Sequence, residues 1–354
     1  MAQPAPHLAH RRAWLLLLGL VIIWGSHWVV VKIGLETVPP FTYGVLRLVG
    51  GMVVLAALMA AAGRLHRPDR ADWPIIVSYG LLAVGLGIAM MNLALPYIPA
   101  GRSSILAYTI PLWVVPVMAL LARMFPTRAE LAGLGLGLVG LILLLNPAAI
   151  EWGSEGALVG SLLLVLGAMG GAVALVHVRI HPWRGTPFDT QIWQLLVALV
   201  PMFLLWLLLE RDELGSVRWD LPTALAVLYS GPLATAFAFW ASQMIVKALG
   251  PLTTGIGYLA APAVGVVAGI IVLGEVVTLL DLAGITVTAV AIVVVLLAQR
   301  RQARPQTVPG EPGVEERPIM EIPLPDGAEL PASADVPALA RRPVADPPDA
   351  MGDR

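Results

Sequence analysis

With 354 residues, 58% of them hydrophobic and only 13% charged, and a mean hydropathy of +0.82, the chain has too little polar side chain to clothe a water-soluble surface. A net charge of −1 leaves no concentrated basic face and so excludes nucleic acid as a partner; the absence of cysteine excludes disulfides, thiolate metal sites and a cysteine nucleophile. What remains is a protein whose solvent is the lipid bilayer, because several apolar runs reach the roughly 20 residues that cross a hydrocarbon core about 30 Å thick.

The first run, "HRRAWLLLLGLVIIWGSHWVVV", starts with the basic flank of a signal peptide but continues past Gly25 with no small-x-small cleavage site. It is expected to be retained as a first helix over 13–34, behind a cytoplasmic tail of residues 1–12. Trp24, His27 and Trp28 share one face of it. His27 near its middle is open to two readings: an imidazole that binds substrate or titrates with a coupling proton, or a hydrogen bond between helices. Lys32 sits at the external end as a cap.

The second span, 40–62, opens on Pro39-Pro40 and carries Arg47 about seven residues inside, roughly 10 Å deep. An arginine there must face the interior or a wet cavity. It either clamps an anionic group with its guanidinium fork or is a structural residue bonded to carbonyls or to an acid such as Glu36. The third span, 73–95, offers Asn92, and the fourth, 101–122, offers Ser104 and Tyr108 ahead of Pro111. The fifth, 131–149, sets Gly133, Gly137 and Gly140 on one face, a pattern for close packing or for a homodimer seam.

The sixth span, 156–178, ends in "HVRIH", whose His177 and His181 lack the intervening glutamate and third ligand of a zinc helix. No metal and no cofactor is expected, and the segment reads as a basic anchor. The seventh, 189–209, is followed by an eighth and ninth, 222–246 and 252–273, separated by Gly250-Pro251. These carry Gln243, Thr254 and Tyr258. After a tenth span, 281–298, residues 299–354 turn proline-rich and acidic, the composition of a disordered cytoplasmic tail. Alternate loops hold thirteen and four basic residues, which puts both termini in the cytoplasm of a cell-membrane protein.

The two halves repeat. "SYGLLAVGLGIAMMNLALPYIPAGRSSILAYTIP" aligns without a gap on "YSGPLATAFAFWASQMIVKALGPLTTGIGYLAAP", placing Gly80 on Gly231, Asn92 on Gln243 and Pro111 on Pro262, all 151 apart. "PPFTYGVLRLV" aligns on "TPFDTQIWQLLV" at an offset of 147, with Arg47 over Gln194. Five spans per repeat is an odd number, so the second copy enters the membrane inverted. The expected fold is an all-α polytopic membrane protein of ten transmembrane helices in two inverted five-helix repeats, 13–149 and 156–298. Inverted repeats around a midplane site are the architecture of secondary transporters.

Trp24-Gly25-Ser26, Lys32, Pro39-Pro40, Arg47, Pro111 and Gly274-Glu275, in this order, make residues 13 to 298 resemble the ten-helix EamA-type members of the drug/metabolite transporter superfamily. The resemblance implies a metabolite exporter, for small polar compounds such as amino acids, working by alternating access. It also implies a cavity surrounded by the first, third, fourth, sixth, eighth and ninth helices. The candidate lining is Trp24, His27, Arg47, Asn92, Ser104, Tyr108, Gln243, Thr254 and Tyr258. Departures are His27 in place of asparagine, Met124 in place of the acid matching Glu275, and Gly170-Gly171 in place of an aromatic. No carboxylate lies deep in a span, which disfavours cationic drugs. The competing class is an intramembrane enzyme pairing Ser26, Ser103 or Ser104 with His27, or a non-transporting receptor or scaffold.

Overall fold

The computed structural model of the chain describes residues 6–121, 123, 125–145, 155–249, 257–258 and 260–303. All its regular structure is helical, and ten apolar helical spans follow one another: α1 (Pro6–Gly34), α2 (Pro40–Ala61), α3 (Trp73–Ser78, Tyr79–Gly85 and Leu86–Ala94), α4 (Ala100–Ala107 and Ile110–Leu121) and α5 (Arg128–Leu145). The second half holds α6 (Glu155–Ile180), α7 (Pro187–Leu209), α8 (Leu221–Leu228, Tyr229–Phe237 and Ala238–Leu249), α9 (Ala260–Leu273) and α10 (Leu279–Ala303). Eight of these are long and apolar enough to cross a membrane over their described length, and α9 is a shorter apolar helix. This is the expected polytopic fold.

Local chemistry sets the helix ends. Proline stands in the first turn of α2, α7 and α8, where its missing N–H is no loss. Thr186 caps α7 and Asp220 caps α8 through side-chain oxygens. Gly63 and Gly274, both at φ 64°, end α2 and α9 in the left-handed conformation that glycine adopts freely. α4 breaks at Tyr108-Thr109, just ahead of Pro111, which cannot donate back to the preceding turn. The apolar span expected over 13–34 is found at Arg12–Gly34, and the helix itself starts earlier, at Pro6, since nothing in "HLAHRR" stops an established helix from propagating. Residues 299–303 likewise extend α10; the rest of the expected disordered tail, and the Gly250-Pro251 break, lie outside the described residues.

Corresponding helices run antiparallel, which is the inversion the odd span count requires. Glu210, after the C-terminal end of α7, accepts hydrogen bonds from the Phe41 and Thr42 amides at the start of α2 (3.0 and 2.6 Å). Arg64, after the C-terminal end of α2, pairs with Asp189 in the first turn of α7 (2.8 Å). Along α5 and α10, Gly133 packs beside Val295 while Gly140 packs beside Thr288. Neighbour relations are preserved when the halves are exchanged: α1 packs on α8 and α9 as α6 packs on α3 and α4, and α2 on α8 as α7 on α3. The closest approaches obey the same rule, with Gly80 against the backbone oxygen of Gln194 and Gly231 against that of Arg47. The glycine face of α5 is filled from within the chain by α10 and Leu112, so it serves packing and is not a free seam for a second copy.

Candidate functional site

A cavity of about 310 Å³ opens between α3 and α6. Tyr79, Ala83, Val84, Gly87, Met90 and Met91 form one wall, and Leu164, Gly167, Ala168, Gly171 and Leu175 the other. Ile110 of α4, Trp28 of α1, Arg47 of α2, and Thr235 and Phe239 of α8 complete it. Both repeats therefore contribute. Gly167 and Gly171 let α6 come close to its neighbours here: a Cβ would stand 3.3 Å from Met90 at the first and 3.1 Å from Ile110 at the second.

Arg47 is the only charged residue in this lining, and it is buried. Its Nε donates to Thr235 Oγ1 (3.1 Å), whose own hydroxyl donates to Ser230 O (2.8 Å). Its Nη1 is buried without a hydrogen-bond partner among the described residues. A buried donor left unmade costs on the order of 1–3 kcal/mol, more for a charged group. The position is thus primed for an acceptor, and an anion suits it best.

Behind Arg47 runs a polar network that joins the two halves. The Tyr43 hydroxyl bonds Ser230 Oγ (2.6 Å) and Ala226 O (3.1 Å). His27 Nε2 meets the same Ser230 Oγ at 3.2 Å, and its ring stacks on Tyr229 at 6.2 Å. Tyr229 in turn bonds Ser26 Oγ (2.8 Å) and Ile23 O (3.1 Å). The network gathers at the start of Tyr229–Phe237, a wide-turned stretch of α8 whose counterpart in α3 is Tyr79–Gly85. Such wide turns recur where helices carry function.

The candidates read from sequence separate into groups. Arg47 lines the cavity; His27 belongs to the network behind it, reached through Thr235 and Ser230. Trp24, Tyr108 and Tyr258 pack together elsewhere, around buried Leu17, Leu20 and Val21, with the Trp24 indole donating to Ala234 O (3.1 Å). Asn92 ties its Nδ2 to Pro40 O (2.8 Å), and Ser104 bonds Gly101 O (2.7 Å) beside Gly265. Gln243 lies in the last segment of α8, and Thr254 lies outside the described residues. Sequence reasoning missed Tyr79, Met90, Met91, Thr235 and Phe239; a signal existed for Thr235, one turn beyond the Gly231 that meets the Arg47 backbone.

The outlying polar residues fasten helix ends. Glu275 accepts from the Ala100 and Gly101 amides (2.6 and 3.1 Å) and from Lys32 (3.1 Å), so Lys32 and Glu275 together close the start of α4. His177 bonds Ser78 (2.6 Å) and His181 bonds Asp72 (3.1 Å), linking α6 to α3. Ser26, Ser103 and Ser104 all donate to backbone carbonyls of the preceding turn, and none of them is the partner of His27.

The EamA-like transporter family model matches residues 11–146 and again 158–297. A protein named a probable amino-acid metabolite efflux pump, from Salmonella typhimurium, is 26% identical over 77% of this chain and 91% of its own length. The uncharacterized transporter YvbV of Bacillus subtilis is 27% identical over 83% of this chain and 95% of its own length. A protein of known crystal structure, 24% identical, superposes with a TM-score of 0.57 over 83% of this chain and 99% of its own, which shows a shared fold.

Proposed function

This chain belongs to the EamA-like transporter family, and within that family we propose that it is a secondary exporter of small polar metabolites, amino acids or their relatives. The observation that carries the reading is the Arg47 guanidinium with its unpartnered Nη1, set in a cavity that both inverted halves build. A carboxylate is the natural acceptor for that group. The amino-acid class and the outward direction are supported by the efflux pumps among its relatives. Alternating access is the motion that two antiparallel copies of one helix set allow around a shared site. Thirteen basic loop residues on one face against four on the other support a cytoplasmic-membrane protein with both termini inside.

Counterflow in proteoliposomes tests this. Labelled amino acids, organic acids and purines are offered to the full chain and to Arg47→Gln. Uptake driven by internal unlabelled compound of one class, abolished in a variant that still elutes as folded protein, is the expected result. No exchange across the panel overturns the transport reading.

A further inference from the structure

On the premise that the cavity is the transport site, its charges and walls restrict the cargo to those relatives of amino acids that lack the ammonium group, and set amino acids themselves aside. One positive group, Arg47, faces it, and no lining residue is acidic. Apart from the hydroxyls of Tyr79 and Thr235, the remainder is apolar, sulfur-bearing or aromatic, with Met90, Met91, Ile110, Trp28 and Phe239 among it. A zwitterion placed here would neutralise Arg47 with its carboxylate but bring an ammonium that no lining carboxylate balances. Burying an unbalanced charge in such surroundings is strongly unfavourable. A monoanion with an apolar body leaves the cavity neutral and covers the Met and aromatic walls as well.

At about 310 Å³ the space stands at the low end of ligand pockets. That suits one aromatic or branched side chain on a short acid. We propose that the cavity selects monocarboxylates with a single apolar group and no amino group, such as 2-oxo acids and aryl-substituted acids, over the corresponding amino acids. The carboxylate takes Arg47 Nη1, and the apolar group lies against Met90, Met91 and Phe239.

The test separates this selectivity from transport itself. Thermal stabilisation of the purified full chain is measured with phenylpyruvate, 4-methyl-2-oxopentanoate, phenylalanine, leucine and phenethylamine. Counterflow of the same compounds is measured in parallel. The expected result is saturable stabilisation by the two oxo acids at concentrations at least tenfold below those needed for the amino acids, and none by the amine. Arg47→Gln loses it, while Arg47→Lys retains part. Gly87→Val, whose added side chain meets nothing within 4 Å at its Cβ and narrows the cavity from the α3 wall while leaving Arg47 untouched, weakens phenylpyruvate at least threefold more than pyruvate; it carries the test if Arg47→Gln fails to fold. Equal or tighter binding of phenylalanine or leucine, or any saturable binding of phenethylamine, overturns the proposal even if export is observed. Binding with the expected order but no counterflow leaves the selectivity standing and refutes the transport reading.

Discussion

At the scale of single residues, the hydroxyl network that joins the halves has a measurable worth. Tyr43 spends its hydroxyl on Ser230 and Ala226 O, while His27 keeps Ser230 occupied from the other side. Tyr43→Phe should therefore cost only about 1 kcal/mol, since interhelical hydrogen bonds in membranes average about 0.6 and reach about 1.7 kcal/mol. Unfolding in mixed micelles with rising dodecyl sulfate measures it, and a loss several times larger would mean that the hydroxyl organises the whole network. Gly231 answers to shape instead. A Cβ there would stand 2.9 Å from Arg47 O and 3.0 Å from Gly51 N, backbone atoms that cannot turn aside. Gly231→Ala is expected to destabilise by about 1–3 kcal/mol. Gly135→Ala, where a Cβ meets nothing within 4 Å, should be neutral or slightly stabilising. Equal melting temperatures for the two variants would refute the close α2–α8 approach.

Whole helices are held at their ends by groups from the opposite repeat. Glu210 accepts from two α2 amides and from the Thr42 hydroxyl (2.9 Å), so one carboxylate satisfies donors that a helix start otherwise leaves orphaned. Glu210→Gln keeps the shape but turns two of its acceptor positions into donors. The expected loss is about 1.5–3 kcal/mol, the range for hydrogen bonds to charged groups, read as a lower melting temperature in detergent. The starts of α5 and α10 show the repeat in miniature: Thr127 with Glu130, and 151 residues later Thr278 with Asp281, form reciprocal caps. Thr278→Ala should cost about 1 kcal/mol by the same assay, as caps generally do. These elements were legible in the sequence because membrane spans announce themselves by length and the duplication by its offset. The positions that the duplication aligns, Arg47 with Gln194 and Gly80 with Gly231, make equivalent contacts in the structure, which the alignment alone did not predict. The cavity was not legible, because sequence symmetry marks equivalent positions and a cavity arises where equivalent positions differ in size.

That difference organises the molecule as a whole. Along the offset of 147, Gly167, Ala168 and Gly171 of α6 correspond to Leu20, Val21 and Trp24 of α1; along 151, Ala107 corresponds to Tyr258 and Gly87 to Ala238. Where the first set stands there is a cavity; where the second stands, Leu17, Leu20, Val21, Ala238 and Ala261 are buried around Trp24 and Tyr258, whose rings meet edge to face at 5.0 Å. The two corresponding regions thus differ in this structure, one holding a cavity and the other a packed plug in which Trp24 donates to Ala234 O. If rocking of the halves exchanges these conditions, removing the plug must expose the second cleft without the rocking. The chain has no cysteine, so single thiols report directly. Gly87→Cys should react readily with a small methanethiosulfonate reagent, and Ala238→Cys, fully buried, should resist it. Adding Trp24→Ala is expected to raise the Ala238→Cys rate at least tenfold and leave Gly87→Cys little changed. The indole packs against Phe239 of α8 and bonds Ala234 O there, and a void left by a large-to-small change closes only in part. An unchanged Ala238→Cys rate would mean that the second cleft is solid core, and that the cavity beside α6 is a fixed pocket with no moving counterpart.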